Sequence, residues 1–271
     1  MRSKGSIIIT GASGSVGAAS CEALVRQGES VVMACRNTEK AAALRKDILT
    51  RIPEASLDIE ELRLDSFESV RDFARRMQER EIKALFNNAG VISRSYRLCE
   101  DGFEESLTVN YLSPYLLSRL MAPQLGSDGR IINMVSLTCG LVGMDRNLFE
   151  RGEKEFSQLG SYALSKLALM LFSIELAARE GVQVNMVDPG IVNSNMISMG
   201  RWFDPLADIL FRPFCKSPEQ AAIPVVNAIL SEECSRLFKG KGYVYPPQKI
   251  CSEQELRLWL WEKTEKILHF L

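Results

Sequence analysis

Short apolar runs alternate with longer amphipathic segments along the 271 residues, and that alternation limits the folds open to the chain. SIIIT (6–10), SVVMAC (30–35), LDIEELRL (57–64), KALFNN (83–88), GRIINMVS (129–136), VQVNMVD (182–188) and GYVY (242–245) read as strands. Helical patterns lie between them near 15–27, 39–51, 66–80, 103–122, 161–180 and 217–231. Strand–helix alternation implies right-handed crossovers onto a parallel sheet covered on both faces. The inner runs are almost wholly apolar, as strands buried on both sides must be. The expected fold is α/β: a single domain over 1–271, with a doubly wound parallel sheet of about seven strands. Two stretches break the rhythm, 137–160 and 191–216.

Composition narrows the chemistry. With 33 Lys and Arg against 34 Asp and Glu, no strong field draws the chain to nucleic acid or anionic lipid. The seven cysteines are scattered and form no CxxC pair, which points to free thiols in a reducing compartment. The single histidine, His269, lies near the end, so Ser-His-Asp chemistry is excluded from the body and a metal site is not expected. The opening MRSKG leads straight into an apolar run, and no run of 18 apolar residues follows. A cytoplasmic location without a transmembrane segment is expected.

TGASGSVG (10–17) joins the first strand to the first helix. Gly11, Gly14 and Gly17 permit a tight turn and close approach of backbone to a pyrophosphate, with Ser13, Ser15 and Val16 between them. The absence of a GK[ST] ending excludes a nucleotide-hydrolysing P-loop. Cys35-Arg36-Asn37 ends the second strand, where NAD enzymes carry an acidic residue for the ribose 2′-hydroxyl. Arg36 instead suits a 2′-phosphate, so NADP(H) is expected over NAD(H). Asp65 ends the third strand; it can accept from the adenine amino group or cap the helix that follows. NNAG closes the fourth strand, with Asn88, Ala89 and Gly90 set to lie against a cofactor.

YALSK (162–166) places Tyr162 and Lys166 one helical turn apart on one face. The pair is either a core tyrosine beside a snorkelling lysine or an acid–base pair, with the ammonium lowering the pKa of the phenol.

The Gly-rich turn, Asp65, NNAG, Asn110, Ser136, YxxxK and the DPG at 188–190 occur in the order seen in the short-chain dehydrogenase/reductase superfamily. ACRN and YALSKLALMLFSIELA are most similar to its retinol-dehydrogenase-like branch, which also shows a long insertion between the serine and the tyrosine. The resemblance runs from about residue 5 to 195. It implies an oxidoreductase moving hydride between a nicotinamide and a carbonyl or alcohol. Tyr162 would then be the general acid/base, Lys166 its charge partner and ribose ligand, and Ser136 the group orienting the substrate oxygen. Asn110 would support a water-linked proton relay from Lys166, or simply bond a helix carbonyl. Pro189, Gly190, Val192 and Ser194 would line the nicotinamide amide.

Two departures keep other readings open. The turn reads TGxxGxxG, with Ser15 where the family commonly has glycine. That spacing belongs more to nucleotide-sugar epimerases and dehydratases, which use bound NAD(P) catalytically. The membrane anchor common among retinol dehydrogenases is not apparent, so no retinoid substrate is assumed. A third reading is a non-catalytic cofactor-binding regulator.

The stretch 191–216 matches the family's mobile substrate loop. Met196, Met199, Trp202, Phe203, Leu206 and Phe211 would form a lid over a hydrophobic small molecule, or pack onto the body. Arg201 and Arg212 leave room for an acidic group on that molecule. The tail, 252–271, carries Leu256, Trp259, Leu260, Ile267 and Phe270 on one helical face and Leu258 and Trp261 on another. Two apolar faces suggest a partner protomer, in a homodimer or tetramer, or a membrane interface; oligomerisation or packing is favoured over lipid.

Overall fold

A computed structural model describes residues 5–192, 215–240, 243–245 and 252–270. Eight strands form one sheet: β1 (Ser6–Thr10), β2 (Val31–Cys35), β3 (Leu57–Glu61), β4 (Ile82–Asn87), β5 (Arg130–Met134), β6 (Gln183–Asp188), β7 (Leu237–Lys239) and β8 (Tyr243–Tyr245). Their order is β3-β2-β1-β4-β5-β6-β7-β8. The first seven run parallel and only β8 is antiparallel. Within GYVY, Tyr243–Tyr245 is therefore the antiparallel edge strand. The seventh parallel strand is Leu237–Lys239, whose three residues are too few to show a period.

The helices are α1 (Ser15–Val25), α2 (Thr38–Arg51), α3 (Phe67–Met77), α4, α5 (Gln158–Arg179), α6 (Pro218–Leu230) and α7 (Gln254–Ile267). In α4, Glu105–Leu107, Thr108–Leu112 and Ser113–Leu125 run as one helix whose middle turn is π-helical. Neighbouring strand residues serve opposite faces of the sheet, as the pleat requires. Ile8, Val32, Leu85 and Ile131 join the core formed with α3, α4, α5 and α7. Ile7, Ile9, Val31, Met33, Phe86 and Ile132 join the core beneath α1, α2 and α6.

Topology locates the crevice. The chain leaves β1 toward β2 and β3, then returns to place β4 on the other side of β1. The reversal opens a crevice at the carboxyl ends of β1 and β4. Asn88 spans it, donating from Nδ2 to the Thr10 carbonyl at 2.8 Å, while the Thr10 hydroxyl accepts the Asn88 and Ala89 N–H groups at 3.0 Å. Behind it, Asn87 Nδ2 bonds Asn133 Oδ1 at 2.8 Å and Ser118 Oγ at 2.9 Å, tying β4 to β5 and α4.

Both faces of the tail helix meet the body of the same chain. Trp261 is 6% exposed, and the guanidinium groups of Arg119 and Arg179 lie over its ring at 4.9 and 4.8 Å. Trp259 packs on Phe149 at 6.2 Å. Leu258, Trp259, Ile267 and Phe270 are half-buried. The second stripe of α7 is thus used within the molecule. Helix α5, long and apolar enough to cross a membrane, is a core helix here.

Candidate active site

The Gly-rich turn is shaped by its own neighbours as much as by any ligand. Gly11 has φ +63°, and a Cβ there would lie 3.0 Å from both Cα and Cβ of Ala89. At Gly17 a Cβ would come within 2.6 Å of the Gly11 carbonyl oxygen. The middle position is less crowded: a Cβ at Gly14 would lie 3.2 Å from the Gly11 carbonyl oxygen, and Gly14 is exposed and serves as the N-cap of α1. No side chain caps that helix, so its first N–H groups and partial positive charge remain available to an anion. Ser13 is half-buried and Ser15 exposed at this mouth.

From the turn a cleft of about 570 Å³, counted out to open solvent, runs along the carboxyl edge. Ala34, Leu62, Leu64 and Val109 give it apolar walls, and Ala89, Gly90 and Val91 line its β4 side. Arg36 and Asp65 stand at its rim, with Arg36 Nη1 3.9 Å from Asp65 Oδ2 and the Arg36 side chain 72% exposed. Arg63 Nε holds the other Asp65 oxygen at 3.3 Å. Asp65 is not the cap of α3: Ser66 occupies that position and accepts from the Ser69 N–H. A slot with apolar walls and an uncapped helix start at one end fits a dinucleotide, and the Arg36 guanidinium stands exposed on its rim beside Asp65.

Ser136, Tyr162, Lys166 and Asn110 meet at the carboxyl ends of β4 and β5. Ser157 caps α5 by accepting the Gly160 N–H at 3.2 Å, and the helix then carries Tyr162 and Lys166 on one face. Lys166 is 2% exposed; its ammonium donates to the Met134 carbonyl at 2.8 Å and lies 6.0 Å from the Tyr162 ring centre. Ser136 follows β5 and begins a short 3₁₀ turn, Leu137–Leu141, accepting from Thr138 Oγ1 at 3.0 Å. Asn110 is fully buried in the π turn: its Oδ1 accepts the Val91 N–H at 2.8 Å, while its Nδ2 donates to the Val91 carbonyl at 2.9 Å and to Ser165 Oγ at 3.0 Å. It thus bonds a carbonyl, yet one on the β4 side of the cleft rather than in its own helix. A Cβ on Gly90 would lie 3.2 Å from Asn110 Oδ1 and 3.3 Å from Lys166 Nζ, so a side chain there would press on both.

The electrostatics differ from the sequence expectation in one respect. Burial pushes the Tyr162 phenol up to about 12, and the group opposing that rise is the Ser136 hydroxyl, not Lys166. Burial pulls the Lys166 ammonium down to about 8. Enclosure dominates because both groups stand in a largely desolvated pocket where charge is disfavoured.

The DPG turn closes the site. Gly190 has φ +77°, and its N–H donates to Asp188 Oδ1 at 2.9 Å. Asp188 is 3% exposed and its carboxyl is raised by burial. Lys216, a residue the sequence reading did not select, donates from Nζ to the Pro189 carbonyl at 2.9 Å; its backbone N–H donates to the Ile191 carbonyl at 2.8 Å, and it pairs with Val192. Its signal is invisible in sequence, since 25 positions separate it from Gly190. Ser194, and the proposed lid residues from Met196 to Arg212, lie outside the described residues.

The short chain dehydrogenase family model matches residues 6–201. Human retinol dehydrogenase 13 is 30% identical over 278 residues, covering 97% of this chain and 84% of that protein. Human retinol dehydrogenase 11 is 34% identical over 237 residues, covering 83% of this chain and 73% of its own length. Among solved structures, a protein from Mycobacterium paratuberculosis shares the fold at TM-score 0.78 and 24% identity, over 98% of this chain and 94% of that one. A short-chain dehydrogenase from Sphingobium yanoikuyae in complex with NADPH does so at TM-score 0.69 and 19% identity, over 98% and 95%. The chain belongs to the short chain dehydrogenase family of oxidoreductases, in its retinol-dehydrogenase-like branch.

Proposed function

We propose that the protein is an NADP(H)-dependent oxidoreductase acting on a hydrophobic carbonyl or alcohol. The observation that carries this reading is the meeting of the Tyr162 and Ser136 hydroxyls with the Lys166 ammonium beside a cleft that begins at an uncapped helix start. The nicotinamide, when bound, supplies or accepts the hydride. The protein's own residues hold it and handle the proton.

The turn Gly11 to Gly17, with Ser13, Ser15 and Val16, would hold the pyrophosphate at the start of α1. Arg36 would grip the 2′-phosphate; in its support, its guanidinium is exposed on the cleft rim. Asp65 would meet the adenine amino group, and Asn88, Ala89 and Gly90 the adjoining ribose. Lys166 would bond the nicotinamide ribose, with Pro189, Gly190, Val192 and Ser194 around the amide. Ser136 would hold the substrate oxygen. Tyr162 would give that oxygen a proton during reduction, and a phenol raised to about 12 keeps its proton through neutral pH. Human polyprenol dehydrogenase, 31% identical over 280 residues, and the retinol dehydrogenases are named for lipid alcohols. Those names, with exposed Leu137, Leu141 and Leu159 near Ser136 and Tyr162 in the chain, favour an apolar substrate. A cytoplasmic location, inferred from cysteine usage, belongs to the same proposal.

The test is to follow NADPH and NADH absorbance with purified protein against aldehydes, ketones and alcohols. NADPH is expected to be consumed with apolar carbonyls, and Tyr162→Phe to lose at least about a hundredfold in kcat. Full activity in Tyr162→Phe with every active substrate would end the proton-donor assignment.

A further inference from the structure

The turn that carries Asn110 is tied from behind to the last helix of the chain. Thr108–Leu112 is wound in the wide π form, in which one residue too many is fitted into a turn. The inner side is held by Asn110 through Val91 and Ser165. The outer side is held by the next residue, Tyr111, whose hydroxyl lies 2.7 Å from Thr264 Oγ1 on α7. Thr264 Oγ1 also donates to the Leu260 carbonyl at 2.7 Å, so its one proton is engaged and Tyr111 must be the donor. Both side chains are 0% exposed, so water has no access to replace the bond. One turn along, Tyr115 donates to the buried Glu265 carboxylate, which Arg119 also holds at 3.1 Å. The rings of Tyr111 and Tyr115 lie 6.4 and 4.3 Å from Phe172, on the helix that carries Tyr162 and Lys166.

We propose that Thr264 and Tyr111 are positioning residues for Asn110, which makes the carboxy-terminal helix a structural part of the proposed site. The inference rests on the reading of Asn110 as a member of that site. Asn110 touches the cleft through Val91 and Gly90, and its amide plane follows the π turn. That turn is fixed on one side by polar bonds to the cleft and on the other by one phenol bonded to α7. Loss of the phenol's partner leaves a buried donor unsatisfied, which the turn can relieve by moving. Movement there carries Asn110 Oδ1 away from the Val91 N–H and changes the space around Lys166.

Three variants separate positioning from packing: Tyr111→Phe, Thr264→Val and the double variant. Removing both partners restores an apolar contact, so the double variant is expected to recover the Tm that Thr264→Val loses. Its kcat is expected to stay about ten- to a hundredfold below the parent protein, with KM little changed, because an apolar contact restores packing but not the directional bond that fixed the outer side of the turn. Hydrogen exchange at the Val91 amide, which reads the bond to Asn110 without any substrate, is expected to be faster in both Thr264 variants. Recovery of kcat together with Tm, and parental exchange at Val91, would show packing alone and overturn the inference. If the parent protein itself consumes no NADPH, the functional reading fails, and the Val91 exchange still decides the positioning.

Discussion

Burying the Lys166 ammonium costs the molecule stability. Below pH 8 the group is charged in both folded and unfolded chains, and the folded state carries the whole cost of enclosure. Between about 8 and 10.5 the unfolded chain holds more of the proton, so stability from this group rises with pH. The drop in affinity for the proton corresponds to about 3 kcal/mol. Tyr162 acts in the opposite sense, but only from 10 to about 12, where the folded chain keeps a proton the unfolded one has lost. The thiols of Cys21, Cys99 and Cys139, raised from 9 by burial, also act in the opposite sense from about pH 9, so the lysine is read between 8 and 10 as the difference between the parent and a Lys166 variant. Lys166→Met is expected to abolish turnover without lowering Tm at pH 7, and to gain less stability than the parent across that window. Equal slopes in urea titrations of the two proteins would contradict this. Arg36 is tested by charge reversal. Arg36→Glu should cost NADPH about ten- to a hundredfold in kcat/KM, the worth of one or two charge-assisted bonds, and leave NADH largely unaffected. An unchanged preference would remove Arg36 from the cofactor assignment.

Among the elements, those with a strong period were legible and those shaped by contact were not. The helix of Tyr162 and Lys166 and the turn from Thr10 to Gly17 lie where their patterns put them, within the usual end effects. The π turn at Asn110 was not legible, because the groups that hold it, Val91 and Thr264, lie in distant parts of the chain. The direction in which Tyr162 is tuned was not legible either. Spacing puts a cation near a phenol, but only the fold shows how much water both have lost. The tail illustrates the same limit: two apolar faces can be counted in sequence, but what meets them cannot. Both meet the body, with Arg119 and Arg179 packed on the Trp261 ring. Trp261→Ala should therefore lower unfolding stability by about 3–5 kcal/mol, measured by urea denaturation, at unchanged molecular mass. A shift in mass without loss of stability would instead indicate a tail that joins protomers.

At the scale of the whole molecule, alternation of strands and helices was enough to set a parallel, doubly covered sheet and its crevice at the β1/β4 reversal. What it left out, the three-residue β7, is held by pairing with β6 rather than by any pattern of its own. The site lies where that architecture brings strand ends together, with residues from Gly11 to Lys216 meeting at one edge. The central claim is that this edge supports hydride transfer to a carbonyl. It is tested most directly with NADPH carrying deuterium at the transferred position of the nicotinamide ring, supplied with an apolar ketone or aldehyde, and mass analysis of the product. One deuterium on the new carbinol carbon, with one NADPH consumed per product, is the expected result. Product formed with no deuterium and no net loss of NADPH would contradict it, and would point to a chain that uses its cofactor without spending it.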